Sequence, residues 1–179
     1  MSRIGREPIT IPAGVEVKLN GTVITAKGPK GTLTRDIGRD VKCEIEGNVI
    51  RFTRDSENKE IRSKHGLYRA LVFNMVKGVT EGFAKSLIIN GVGYKCNVSG
   101  NKLVLNIGYS HPIEMVEPEG ITIDVKDNQV IVQGADKQLV GETAAKIRSL
   151  RVPDVYKGKG IKYAGEHLII KEGKTGAKK

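Results

Sequence analysis

The strongest constraint on the fold is a run of short alternating segments followed by one helical segment, a plan that occurs twice along the chain. In the first half, the alternation of apolar and polar residues predicts strands at 15–19, 22–27, 32–37, 41–45 and 49–54. A helix follows, with Asp55 or Ser56 as its N-cap and Gly78 at its end. Its side chains at helical spacing are Ile61, His65, Tyr68, Val72 and Met75.

The second half repeats this plan. Strands are predicted at 86–90, 102–107, 121–125 and 130–133, before a helix that begins near Asp136. The halves are offset by roughly 80 residues, with Val49-Ile50 corresponding to Val130-Ile131. The sequence therefore predicts an α+β fold of two tandem duplicated units, each an antiparallel sheet with one packed helix, plus a basic C-terminal tail. The predicted boundary near Glu81-Gly82 gives domains at 1–81 and 82–179.

The chain of 179 residues carries a formal net charge of +10. Residues 1–81 contribute +5, residues 82–150 contribute zero, and residues 151–179 contribute +5. An excess of lysine and arginine favours a polyanionic partner, because these side chains release the counterions condensed on nucleic-acid phosphates. Acidic lipid is the alternative polyanion, but neither predicted helix has a strongly basic face. Nucleic acid is therefore the predicted partner, and no membrane partner is expected.

Several other classes of protein are disfavoured by the sequence. No apolar run approaches the roughly 20 residues that span a bilayer, and the N-terminus lacks the apolar stretch of a signal peptide, so a cytoplasmic location is expected. Cys43 and Cys96 have no second ligand at metal spacing and are expected to be reduced thiols. No metal, cofactor or small-molecule substrate is predicted.

Motifs for nucleotide chemistry are incomplete. Gly173-Lys174-Thr175 resembles the end of a P-loop, but Leu168 occupies the position of the required glycine. Gly91-Val92-Gly93 begins like a dinucleotide-binding turn, but Cys96 replaces the third glycine. His65, His111 and His167 lie in unrelated segments without catalytic spacing. The sequence therefore predicts that the chain is not an enzyme.

The most informative segment for binding is 151–166, where lysines, glycines and two tyrosines alternate. Glycine lets a backbone approach a phosphate closely, lysine supplies a mobile charge, and tyrosine supplies a stacking face. A solvated tail and tyrosines that pack in the core are the alternatives. The predicted RNA contacts, which include two lysines further along the chain, are Arg151, Tyr156, Lys157, Lys159, Lys162, Tyr163, Lys171 and Lys174.

The order of residues in this segment resembles the bacterial large-subunit ribosomal protein family called L-six. The resemblance begins at the stretch from Tyr156 to Tyr163 and continues through Gly165-Glu166 and 171–174. It extends over essentially the whole chain, through matching motifs at 1–5, 27–31, His65-Gly66 with Arg69, Asn74-Met75, 91–94 and 105–112. Three pairs of residues depart from the family pattern: Asp154-Val155 replaces Glu-Pro, Leu67-Tyr68 replaces two threonines, and Ile169-Ile170 replaces two arginines.

The resemblance implies a structural protein that binds 23S rRNA, chiefly in its sixth domain, near the stalk base and the translation-factor site. It also implies contacts with neighbouring large-subunit proteins, a location in the cytoplasmic ribosome, a part in subunit assembly and translation, and no catalysis. A free nucleic-acid-binding regulator and an enzyme acting on an anionic substrate are the competing hypotheses. The secondary candidates for rRNA contact are Arg3, Arg6, Lys27, Lys30, His65 and Arg69.

Overall fold

A computed structural model of the chain describes residues 3–174. These residues form three helices, α1 (Arg3–Arg6), α2 (Lys59–Thr80) and α3 (Lys137–Leu150). The strands are β1 (Ile9–Thr10), β2 (Glu16–Asn20), β3 (Val23–Gly28), β4 (Gly31–Asp36), β5 (Lys42–Glu46), β6 (Val49–Thr53), β7 (Phe83–Asn90), β8 (Lys95–Ser99), β9 (Lys102–Asn106), β10 (Ile113–Val116), β11 (Ile121–Lys126), β12 (Gln129–Gly134) and β13 (Gly160–Tyr163).

The chain divides into two compact units. The first comprises Met1–Phe83 with Ala135–Lys137, and the second comprises Ala84–Gly134 with Gln138–Lys179. Each unit contains two sheets and a long helix. The sequence predicts one sheet in each unit, but the strands of each unit are divided between two sheets.

The first unit contains antiparallel sheets with the strand orders β2-β3-β4 and β1-β6-β5. Alternation along β3 buries Ile24 and Ala26, and Ile50 of β6 is also fully buried. Helix α2 contributes Val72 and Val79 to the same core. The apolar side chains of both sheets and the helix are therefore buried in one common core. This removal of apolar surface from water is the main stabilisation of the unit.

The second unit contains sheets with the strand orders β10-β9-β8 and β11-β12-β7-β13. Leu103 and Leu105 of β9 are fully buried, as are Val130 and Val132 of β12. The buried apolar side chains of α3 recur at helical spacing: Val140, Ala144 and Ile147.

The two units repeat one strand order, because β1-β6-β5 corresponds to β7-β12-β11. A backbone hydrogen bond is repeated as well. The Ile11 N–H donates to the Asn48 carbonyl at 2.8 Å, and the Ile89 N–H donates to the Asn128 carbonyl at 3.0 Å. These relationships confirm the predicted α+β fold with duplicated sheet-helix units. Within residues 3–174, β13 has no counterpart in the first unit.

Two details of the duplication differ from the sequence prediction. Ile50 pairs with Ile45 and Val130 pairs with Val125, and both Ile50 and Val130 are fully buried. Ile50 therefore corresponds to Val130, one position away from the predicted match. The sequence does not show which residues of β12 face the core, because apolar residues lie on both faces of the strand. Ile131 is half-buried on the face opposite Val130.

The bounds of α2 also differ from the prediction. The helix begins at Lys59 after Asn58, and it continues through the buried Gly78 to Thr80. Its end is set by Gly82, whose φ of +77° is readily adopted only by glycine.

Candidate nucleic-acid interface

The basic segment that follows α3 is built into the second unit. Residues 151–160, here called the basic loop, connect the end of α3 with β13. Strand β13 pairs antiparallel with β7, with Ile161 opposite Ile89. The Ile161 N–H donates to the Arg151 carbonyl at 2.8 Å, and the Ala164 N–H donates to the Ser86 carbonyl at 2.8 Å. Both ends of the basic loop are therefore fixed by backbone hydrogen bonds.

Asp154 organises the interior of the basic loop. Its backbone N–H donates to the Lys159 carbonyl, and its carbonyl accepts from the Gly158 N–H, both at 2.9 Å. Its carboxylate Oδ2 accepts a hydrogen bond from the Lys157 N–H at 3.0 Å. Asn90 of β7 donates a side-chain hydrogen bond to the Gly158 carbonyl at 3.3 Å. The turn is therefore held from within and from the neighbouring strand.

Gly160 allows the basic loop to close against its own beginning. Its φ is +147°, and a Cβ atom at this position would lie 2.6 Å from the Cα of Pro153 and 2.9 Å from the Arg151 carbonyl oxygen. Only glycine satisfies both the backbone angle and the close approach. The glycine-rich composition of this segment therefore serves the loop's own packing at this position.

The exposed side chains of the closed turn include one tyrosine and two lysines. Tyr156 is 55% exposed, and Lys157 and Lys159 are also exposed. Within residues 3–174, neither lysine has a carboxylate at ion-pair distance. The turn therefore presents two unpaired cations beside an open aromatic ring.

The turn after β13 is fixed by an ion pair. Arg148 of α3 donates to Glu166 through Nε at 3.1 Å and through a terminal nitrogen at 2.6 Å. Glu166 also accepts the Tyr163 N–H at 2.9 Å. The Arg148 hydrogen bond, followed by the Tyr163 N–H, lowers the pKa of the Glu166 carboxyl.

Tyr163 has a different environment from Tyr156. Its ring is half-buried, with Lys85 Nζ 5.1 Å and the Arg148 guanidinium carbon 5.7 Å from the ring centroid. Two cation–π contacts therefore already engage this ring. The geometry favours a packing role for Tyr163.

Arg151 is likewise engaged by aromatic side chains. Its guanidinium lies 5.2 Å from the ring centroid of Tyr109, whose hydroxyl donates to the Leu150 carbonyl at 2.9 Å. Hydrogen bonds from Arg151 to the hydroxyls of Tyr109 and Tyr94 raise the pKa of the guanidinium. The charge of Arg151 is thus held in place at the start of the basic loop.

The remaining predicted contacts lie on β13 and beyond it. Lys162 is half-buried, and its charge contributes to the lowered pKa of Glu166 after the larger effect of Arg148. Lys171 and Lys174 are exposed, and the Lys171 N–H donates to the Val155 carbonyl at 2.8 Å. Ile169 and Ile170, where the resemblance implies a basic pair, are 82% and 58% exposed. The two isoleucines therefore place apolar side chains on the surface at positions where the resemblance implies positive charge.

The secondary candidates in the first unit fall into two groups. Arg3, Arg6, Lys27 and Lys30 are exposed, and Lys30 donates a side-chain hydrogen bond to the Glu81 carbonyl.

His65 and Arg69 have interior environments. His65 is only 4% exposed, with Nε2 3.0 Å from the Phe52 carbonyl oxygen. The Arg69 side chain is 12% exposed, and it contacts both the backbone and the carboxylate of Glu7 at 3.2 Å. These two side chains therefore connect α2 with β6 and with the residue that follows α1.

Several residues that shape the interface were not among the sequence predictions. Their polar atoms position the loop or hold its aromatic rings: Lys85, Asn90, Tyr94, Tyr109, Arg148, Asp154 and Glu166. The isolated acidic residues Asp154 and Glu166 within a strongly basic segment were the available sequence indication, because unpaired acids would oppose RNA binding.

Three further observations concern metal ligands, membrane spans and cysteines among the described residues. Residues 3–174 contain no group of three His, Cys, Asp or Glu side chains placed to hold a metal ion. No helix in this part of the chain is both long enough and apolar enough to cross a bilayer. Both cysteines are free thiols, and burial raises the pKa of Cys43 to about 11.

Comparison with known proteins identifies the family. The family model described as Ribosomal protein L6 matches residues 11–82 and 90–164. The chain belongs to this family. Ribosomal protein L6 is structural, so membership confirms both the recognised family and the prediction that the chain is not an enzyme.

Individual L6 relatives match over nearly their full length. The large ribosomal subunit protein uL6 of Enterococcus faecalis is 56% identical over 177 residues, which cover 98% of this chain and 99% of the relative. The uL6 protein of Caldicellulosiruptor bescii is 57% identical, with 98% and 97% covered. That of Carboxydothermus hydrogenoformans is 56% identical over 179 residues, with 99% and 98% covered. The predicted location in the cytoplasmic ribosome is confirmed.

Proposed function

We propose that this L6 protein binds 23S rRNA in the large subunit through its second unit. The observation that carries the proposal is the closed basic loop, where Tyr156, Lys157 and Lys159 are exposed and where neither lysine side chain has a carboxylate of residues 3–174 at ion-pair distance. A fixed loop loses little conformational entropy when it binds, and its lysines gain free energy by releasing counterions from phosphates. This combination suits a protein that is positioned on structured RNA by its backbone contacts.

The side chains have distinct proposed roles. Lys157, Lys159 and Lys162, with Lys171 and Lys174 further along the chain, contact phosphates as mobile point charges. Tyr156 stacks on a base or a ribose, because its ring is the exposed one. The remaining two primary candidates act by position: Arg151 offers a charge fixed over Tyr109, and Tyr163 supports the strand that carries Lys162.

The finer assignment follows the family resemblance. The proposed target is the sixth domain of 23S rRNA near the stalk base and the translation-factor site, with neighbouring large-subunit proteins around it, and the proposed role is support of subunit assembly and translation. Domains at 1–81 and 82–179 are proposed as separate folding units, with rRNA affinity concentrated in the second. The exposed cations of the first unit, Arg3, Arg6, Lys27 and Lys30, are proposed to provide a weaker second contact. His65 and Arg69 support the first unit from its interior.

The experiment measures the affinity for a 23S rRNA fragment as a function of salt concentration. Changing Lys157 or Lys159 to glutamine should weaken binding and reduce the slope of log affinity against log salt by roughly one unit each. Lys126 is the matched control, because it is an exposed lysine of the same unit on β11. K126Q should leave both quantities unchanged. Equal effects of all three variants would show that only net charge matters and would contradict the proposed interface.

A further inference from the structure

Helix α2 has a second face that the core of the first unit does not use. This face and α1 border an open groove of about 650 Å³. Ile4, Leu67 and Ala70 provide its apolar surface, and Lys59 and Arg62 lie at one end. Ile4 and Leu67 are 55% and 53% exposed, respectively. The α2 groove is therefore an apolar depression with a basic end.

The wall formed by α1 is firmly attached. Gly5 lies directly against the imidazole of His65, since a Cβ atom there would be 2.4 Å from Nδ1. The next residues are held by Arg69, whose guanidinium contacts Glu7 and also lies 4.9 Å from the centroid of Phe73. Ile4 is thus presented by a fixed element, and the shape of the α2 groove exists before any partner binds.

The basic end of the α2 groove has an excess of positive charge. Within residues 3–174, neither Lys59 nor Arg62 has a carboxylate at ion-pair distance. The carboxylate of Glu57 is already paired with Arg54 at 2.7 Å. Arg54 is also the main cause of the lowered pKa of Glu57, with smaller contributions from Arg62 and Arg6. The N-terminus of α2 adds the positive end of its helix dipole at the same place.

We propose that the α2 groove binds an amphipathic helix of another protein in the large subunit, with apolar residues along one face and carboxylates at one end. Apolar anchors at helical spacing would cover Ile4, Leu67 and Ala70, and the carboxylates would meet Lys59 and Arg62. Gly66 and Ala70, four residues apart on α2, allow a partner helix to approach closely. The charge complementarity selects an acidic end for that helix.

The same features disfavour RNA as the occupant. The floor of the α2 groove offers aliphatic side chains and no stacking ring. Phosphates laid along the whole groove would lose water against Ile4 and Leu67, because the cationic donors Lys59 and Arg62 lie at one end only. The inference goes beyond the proposed rRNA contact, since none of the residues that line the α2 groove is proposed to contact rRNA.

The test uses photo-crosslinking in intact large subunits. A photoreactive phenylalanine analogue replaces Leu67, and the same analogue at the exposed Thr32 of β4 serves as the control. Irradiated subunits should yield a protein cross-link at 67 well above that at 32, and mass spectrometry should identify a segment with apolar helical periodicity and acidic residues. A cross-link only to rRNA, a segment without carboxylates, or a yield no higher than that at Thr32 would overturn the proposal.

A charge reversal provides the second arm. The double variant K59E/R62E places acids in the first turn of α2, where the helix dipole favours them, so the fold should be retained. The cross-link yield at 67 should fall at least about threefold, because the carboxylates of the partner now meet like charge. An unchanged yield would refute the electrostatic part of the proposal. The loss of affinity for the rRNA fragment that K157Q causes in the full-length protein should be the same with and without K59E/R62E, which separates this result from a failure of the proposed rRNA contact.

Discussion

Arg148 and Glu166 form a two-point ion pair, with nitrogen–oxygen distances of 3.1 Å and 2.6 Å, that closes the turn after β13. The same carboxylate accepts the Tyr163 N–H. One acidic side chain therefore joins the end of α3 to the strand that carries Lys162. The geometry that Glu166 imposes explains the presence of an acid in a segment that is proposed to contact RNA.

The turn at Glu166 should loosen in acid. A carboxyl whose pKa is lowered in the folded state contributes stability that is present above its ordinary pKa and lost as pH falls through the lowered value. Hydrogen exchange at the Tyr163 amide should therefore be protected at neutral pH and lose protection as the pH falls below the ordinary carboxyl pKa of 4.5, beyond the intrinsic pH dependence of exchange. E166Q should abolish this pH-dependent step, and the control E172Q should retain it. A step of the same size in E166Q would assign the effect to another group.

Asp154 should increase rRNA affinity although it is negatively charged. Its carboxylate accepts the Lys157 N–H, so D154A removes the acceptor and should weaken binding of the rRNA fragment several-fold by loosening the basic loop. D154N removes the charge but keeps an acceptor oxygen, and it should bind at least as tightly as the unmodified protein. If both variants bind more tightly, Asp154 acts only through repulsion of phosphate.

Two glycine substitutions should have opposite effects on the free energy of unfolding. G160A introduces a Cβ atom against the backbone of Pro153 at a φ of +147°, and it should destabilise the protein by about 2 kcal/mol or more. G141A lies in α3, where no atom of residues 3–174 outside the neighbouring residues and the adjacent helix backbone is within 4 Å of the new Cβ, and it should stabilise by about 0.5–1 kcal/mol. Urea unfolding measures both. A neutral G160A would show that the basic loop relaxes without strain.

The two tyrosines of the basic segment should separate affinity from stability. Y156A removes an exposed ring and should weaken rRNA binding by about 1–3 kcal/mol with little change in melting temperature. Y163A removes a ring held between Lys85 and Arg148, and it should lower the melting temperature. Both variants are compared by binding to the rRNA fragment and by thermal melting. A lower melting temperature for Y156A together with weaker binding only for Y163A would contradict the proposed roles.

Strands β2 to β6 of the first unit were predictable because their alternation is regular and their turns are marked by glycine or asparagine, whereas β1, which is only two residues long, was not predicted. Strands with weaker patterns were not predicted. β8 has only one buried residue, Cys96, so its sequence shows no alternation. β13 begins with the buried residues Gly160 and Ile161, and the sequence of this segment is typical of a loop. The end of α2 was misplaced because Gly78 precedes Gly82, and only the backbone angle of Gly82 distinguishes a terminating glycine from a buried one.

The basic loop was recognisable from its composition, but its internal organisation was not. Lysines and glycines at 157–160 predict contact with phosphate, whereas the contribution of Asn90 depends on a pairing across the chain that no local pattern indicates. Tyr156 and Tyr163 are equivalent as sequence features. Their different environments arise from side chains on β7 and α3 that surround Tyr163 alone.

Pairing between β13 and β7 places the last strand of the second unit beside its first strand. Contacts between distant parts of a chain form late in folding, because the entropy of closing a long loop is lost before they contribute stability. The basic loop lies inside this closure, so it acquires its shape only when the sheet is complete. In a partly folded chain the same lysines have no fixed arrangement. Only a completely folded molecule therefore presents the ordered lysines that the proposed rRNA contact needs.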